Sequence, residues 1–155
     1  MAKIGIFVGT VYGAAQGLAQ EFEAQLAQEG HDVCVYDSTP QYDEFMLYQH
    51  DVALIVTSTT GQGELPGELV PLYEGLRAQF PILTSMHYAI AALGDSSYGE
   101  ERYCGGGRQF DALLLELSAT PLCERVDIDA CETFDPEEAG LPWLQQVIAQ
   151  LKVLS

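Results

Sequence analysis

Three stretches of this chain place small, hydroxyl and glycine residues where a ligand could be held: GTVYGAAQ at 9–16, STTGQGELP at 58–66 and LGDSSYGEERYCGGG at 93–107. The first lies between an apolar run and a run with helical spacing. A helix start there offers unpaired N–H groups and about half a positive charge, which binds phosphate without a side-chain cation. Thr10 and Tyr12 add hydroxyls, Gly13, Ala14 and Ala15 keep bulk away, and Gln16 adds an amide donor. The stretch contains no lysine or arginine, lacks the Gly-Lys-Ser/Thr ending of a Walker loop, and is not GxGxxG. A plain glycine turn without a ligand fits the same residues.

In the second stretch Thr59 and Thr60 offer hydroxyls, and Gly61 and Gly63 permit positive φ. Such a turn can present backbone donors and acceptors to a flat heterocycle. In the third, Tyr98 could stack on a flat ligand, worth about 0.5–1.5 kcal/mol beyond its area, or cover an apolar surface edge. Asp95 fits a turn cap better than a ring acceptor, and Cys104 reads as a small buried residue.

The elements that must position these loops alternate. Strands are expected at 3–9, 32–37, 52–59, 87–94 and 123–129. Helices are expected at 14–29, with Leu18, Phe22 and Leu26 on one face, and at 67–79, with Leu69, Leu72, Tyr73 and Leu76. Two more follow, around Phe110, Leu113, Leu114 and Leu117 and around Leu144, Val147, Ile148 and Leu151. Residues 38–50 read as a connection with one helical turn, and 130–140 as acidic and irregular. Alternation of this kind makes a parallel, doubly wound sheet. Ligands bind such sheets beyond the carboxyl ends of the strands, where the winding reverses. That is where all three stretches fall, and they hold nine of the fifteen glycines.

The 155 residues suit one domain, 1–155, and carry 23 acids against 6 lysines and arginines, a formal charge of −17. That balance excludes a nucleic-acid backbone, which needs Lys and Arg to displace counterions, and an anionic membrane surface. No run is long enough to span a membrane, and MAKIGIF is not a signal peptide, so a cytoplasmic location is expected. The four cysteines form no CxxC and read as reduced thiols, with no metal site. His31, His50 and His87 lie outside the three loops and read as packing or surface residues. A receiver domain would need acids after the first strand and an Asp ending the third, where Gly9, Thr10 and Thr57 to Thr59 stand.

With all three loops in order, the chain resembles the flavodoxin family over nearly its whole length, most nearly the short-chain MioC/YqcA type and the FMN domains of diflavin reductases. GTVYGAAQ takes the place of the family's phosphate loop, and STTGQGELP and ALGDSSY…CGGGRQFD take the places of its two flavin loops. The resemblance implies a flavodoxin-like three-layer α/β/α sandwich with a five-stranded parallel sheet in the order 2-1-3-4-5. It implies FMN as cofactor. Thr10, Val11, Tyr12, Gly13, Ala14 and Ala15 would hold the phosphate. Ser58, Thr59, Thr60, Gly61 and Gly63 would line one edge of the ring. Leu93, Gly94, Asp95, Tyr98, Tyr103, Cys104 and Gly105 would line the other, with Tyr98 stacked on it. Three departures stand out. Tyr12 occupies a common Thr position, Thr60 a common aromatic position, and GEER lengthens the third loop.

The function so implied is a low-potential electron carrier without substrate turnover of its own. It would work as a monomer between an NADPH-dependent flavodoxin/ferredoxin reductase and an acceptor redox enzyme, which Glu64, Glu68, Asp95, Glu100 and Glu101 would help to steer. Two alternatives compete: an NAD(P)H-dependent FMN oxidoreductase of the quinone reductase type, and an acidic protein-interaction domain without a flavin.

Overall fold

The apolar runs with the strongest strand character become the centre of a parallel sheet. In the computed structural model, which describes residues 1–132 and 135–154, β1 (Lys3–Gly9), β3 (Val52–Thr57) and β4 (His87–Gly94) lie side by side. Their residues are almost entirely buried, as expected for strands covered on both faces. β2 (Asp32–Tyr36) pairs with the outer side of β1. The sheet order is β2-β1-β3-β4-β5, all parallel, as expected.

Alternate residues of each strand feed two separate cores. On one face Ile4, Ile6, Val8, Leu54 and Val56 pack against α1 (Ala14–Gln28) and α5 (Glu137–Leu154). The aromatic pair Phe22–Trp143, with centroids 5.7 Å apart, ties those two helices together. On the other face Phe7, Ala53, Ile55, Tyr88 and Ile90 pack against α2 (Tyr42–Met46), α3 (Val70–Gln79) and α4 (Gly105–Glu116). Each fully buried Leu, Ile or Phe contributes roughly 1.5–3 kcal/mol relative to exposure. The two-sided burial is what fixes the strand ends, and hence the loops, at one edge of the molecule.

Three boundaries differ from expectation. The third helix begins at Val70, not 67, because Pro66 and Gly67 close turns onto Leu69 N and Val70 N, and Pro71 then sits in the first helical turn. The last helix begins at Glu137, inside the stretch expected to be irregular, and carries Pro142 within it. Thr133 and Phe134, in the same stretch, lie outside the described residues. The expected strand 123–129 is divided: β5 is only Thr120–Pro121, against His87 and Tyr88, and β6 is Val126–Asp129, against Ala91 to Gly94.

Leu122 N still donates to Tyr88 O at 2.7 Å, and residues 123–125 connect the two pieces beside a cavity of about 540 Å³ lined in part by Tyr88, Asp111 and Arg125. There the Tyr88 hydroxyl donates to Asp111 Oδ1 at 2.6 Å. Arg125 donates to Asp111 Oδ2 at 2.9 Å and to Asp127 Oδ1 at 2.7 Å. Those polar groups satisfy one another and offer little to a ligand. Among the described residues, no helix is long and apolar enough to cross a membrane.

Candidate functional site

β1 runs out at Gly9, and the chain turns into α1 through Gly13, whose φ of 89° is left-handed backbone that glycine adopts without strain. Thr10 Oγ1 accepts the Gly13 N–H at 2.7 Å, so the turn is braced from within. The helix has no acid in its first turn and no side-chain cap. Among the described residues the N–H groups of Ala14, Ala15 and Gln16 therefore find no acceptor. Three aligned amides at the positive end of a 15-residue helix are a cradle for an anion. Gln16 does not add to it as expected: its side-chain amide donates instead to Asp37 Oδ2 at 3.0 Å, beyond the end of β2. Tyr12 points into solvent, 96% exposed, with Val11 beside it at 38%.

The second loop folds onto itself. Thr60 Oγ1 accepts N–H groups from Gln62 at 3.3 Å and Glu64 at 3.1 Å, while Gly63 N donates to Thr60 O at 2.9 Å. Of the two glycines that permit positive φ, Gly63 adopts it, at 82°. Thr59 Oγ1 accepts the Gly106 N–H at 3.3 Å, which joins this loop to the start of α4. At that joint a Cβ on Gly105 would lie 2.2 Å from Gly63 O, so only glycine fits. Gln109 Nε2 reaches the same carbonyl at 3.1 Å.

The third loop leaves β4 through a short 3₁₀ turn, Ser96–Tyr98, capped by Asp95. Asp95 Oδ1 accepts Ser97 N at 2.9 Å, Ser97 Oγ at 2.5 Å and Cys131 Sγ at 2.9 Å. The Cys131 thiol foremost, then Ser97, holds the Asp95 carboxyl below its ordinary value. Asp129, at the end of β6, accepts Ser96 N at 3.0 Å and Cys131 N at 2.9 Å. Ser96 foremost holds Asp129 low as well. The β6–α5 loop is thus clasped to the turn that carries Tyr98. Further along, Arg108 Nη2 donates to the carbonyls of Glu100 and Glu101, each at 3.0 Å, and braces the GEER stretch.

These loops enclose a cavity of about 560 Å³. Of the residues expected there, Val11, Tyr12, Ala14, Ser58, Thr59, Thr60, Gly61, Leu93, Gly94, Asp95 and Tyr98 line it. Thr10, Gly13, Ala15, Gly63, Tyr103, Cys104 and Gly105 are outside the lining; Thr10 and Gly13 brace the turn that brings Ala14 to it, and Gly63 and Gly105 form the joint of the other two loops. Cys104 is fully buried, in left-handed backbone at φ 52°, and burial pushes its thiol up to about 12. Ile128, Ala130 and Pro136 complete the wall and were not anticipated. Their signal was positional: Ile128 lies near the carboxyl end of the edge strand and Ala130 and Pro136 lie beyond it, where a doubly wound sheet places its ligand.

The donor set suits a phosphate ester of a flat heterocycle: free amides at the start of α1, whose Ala14 lines the cavity, apolar side chains from Leu93 and Ile128, and half-exposed Tyr98 (55%). A family model described as Flavodoxin matches residues 6–143. The chain belongs to the flavodoxin family. It is 46% identical over 146 residues to flavodoxin YqcA of Escherichia coli (strain K12), covering 94% of this chain and 96% of that one. It is 35% identical to the sulfite reductase [NADPH] flavoprotein alpha-component of Aliivibrio fischeri, covering 97% of this flavodoxin but only 24% of that larger protein. In three dimensions it superposes on a cysteine-to-alanine variant of a flavodoxin from Pseudomonas aeruginosa with a TM-score of 0.88. That match has 37% identity and covers 97% of this chain and 99% of the other.

Proposed function

We propose that this flavodoxin holds FMN in the cavity between its three loops and serves as an electron carrier, taking electrons from an NADPH-dependent reductase and passing them to an acceptor redox enzyme. The observation that carries the reading is the row of three unclaimed amides at Ala14, Ala15 and Gln16, at the start of a helix whose first residue, Ala14, lines the same cavity as Tyr98. A phosphate there would be bound by oriented neutral donors, which explains how the loop works without a cation. When bound, FMN supplies one- and two-electron uptake at its ring.

The chain's own part is to hold and shield. Thr10 and the α1 amides fix the phosphate end. Tyr98 would stack on the ring, and Leu93 and Ile128 would exclude water from it. The self-closed 60–64 turn and the Asp95-capped turn present backbone groups along the ring edges. Among the described lining residues the one carboxylate, Asp95, is already engaged by Ser97 and Cys131 as a turn cap, which fits a carrier better than a substrate-converting enzyme.

The acids Glu64, Glu100 and Glu101 are exposed beside this opening. Their charge steers a basic partner face at a rate that falls as salt rises. The carrier is proposed to act as a monomer in the cytoplasm.

Titration of the apo-protein with FMN, followed by quenching of flavin fluorescence, tests the reading. The expected result is one FMN per chain and a yellow protein that NADPH reduces only when a reductase is added. Failure to retain FMN would refute the cofactor. Direct turnover of NADPH by the isolated protein would favour the oxidoreductase alternative.

A further inference from the structure

A carboxylate stands behind a loop that is built to receive an anion. Glu68, half-buried just ahead of α3, accepts the Thr10 N–H on Oε1 at 2.9 Å. The backbone beneath it is anchored: Leu69 is fully buried and packs under Gly9, where an added Cβ would come within 2.7 Å of Leu69 Cγ. Leu69 N also donates to Pro66 O at 3.0 Å. Glu68 therefore extends from a fixed point to the first residue of the phosphate loop. Thr10 in turn accepts Gly13 N on its hydroxyl oxygen. A hydroxyl has one proton and two acceptor lone pairs, so its proton remains free to donate.

Two effects oppose each other here. A charge-assisted hydrogen bond to a backbone N–H orients the loop strongly. The same negative charge would repel a phosphate held by that loop, and GTVYGAAQ has no cation to offset it.

We propose that Glu68 is a positioning residue for the phosphate loop: it holds the Thr10 amide away from the ligand, so that the Thr10 hydroxyl and the free amides of α1 converge on one point, and it does so at some loss of phosphate affinity. This rests on the FMN reading above.

Two variants separate the effects. Glu68→Gln keeps the acceptor and removes the charge, whereas Glu68→Ala removes both. Each apo-protein is titrated with FMN and with riboflavin, which lacks the phosphate. The expected outcome is that E68Q binds FMN about threefold tighter than wild type and E68A about fivefold weaker than E68Q, with riboflavin binding equal in all three. Equal FMN affinity of E68A and E68Q would overturn the positioning role, as would riboflavin affinity changing in parallel with FMN. An E68Q that binds FMN no tighter than wild type would overturn the opposing charge.

The amide proton of Thr10, followed by NMR in the apo-protein, gives a readout independent of flavin. It should keep its hydrogen-bonded shift in E68Q and lose it in E68A; an unchanged shift in E68A contradicts the proposal. A wild-type protein that takes up no FMN refutes the function instead, and the Thr10 amide still decides the role of Glu68.

Discussion

At the α1 end of the cavity the donors are backbone amides with no acceptor. At the Tyr98 end the carboxylates of Asp95 and Asp129 are already engaged by Ser96, Ser97 and Cys131. One end is left open and is held from behind by a single carboxylate. The other is closed upon itself by bonds between two loops. An anion end must keep its donors unspent, since an amide already paired with protein contributes nothing to a ligand. A ring end needs shape, which bonds between its own loops supply.

The contrast fails first if the joint between the second and third loops carries no strain limit. Gly105→Ala places a Cβ 2.2 Å from Gly63 O, and backbone must move to admit it. The variant should lose about 2 kcal/mol of stability, read as a lower urea midpoint at unchanged slope, and bind FMN more than tenfold more weakly. A normal midpoint and normal affinity would show that the joint is loose.

A smaller effect sharpens the division between the two ends. Tyr98→Ala should weaken FMN and riboflavin alike, by about three- to tenfold, because stacking does not involve the phosphate. A loss confined to FMN would place Tyr98 at the wrong end.

The smallest effect concerns the clasp. Cys131→Ala removes the main donor that holds the Asp95 carboxyl low, and Cys131→Ser restores a donor. Because the folded value is depressed, the stability linked to Asp95 is present above the ordinary carboxylate range and is lost as pH falls through the folded value. The alanine variant should therefore titrate at higher pH and release FMN at a higher pH on acidification than wild type or the serine variant. Identical titration of the Asp95 carboxyl carbon in all three proteins, followed by NMR, would dissolve the clasp.

Much of this was readable before any coordinates. β1, β3 and β4 are short apolar runs that only a two-sided core explains, and their loops concentrate glycine where backbone must turn or approach a ligand. The divided edge was not readable, because the break at 123–125 goes with Arg125 finding Asp111 and Asp127, a tertiary choice. The early start of α5 was hidden by Pro142, which argues locally against a helix. Gln16 turned to Asp37 and Glu68 turned to Thr10 for the same reason: each partner lies tens of residues away, and local spacing carries no trace of it.

The divided fifth position also bears on how the protein behaves in a crowded solution. A continuous outer strand beside β4 would expose a long row of backbone groups to which a second chain could zip. Here that border is cut into a two-residue and a four-residue piece, with Pro121 on one and the Arg125–Asp127 ion pair on the other. No stretch of it is long enough to template a neighbour, so this border of the sheet offers a second chain little to pair with.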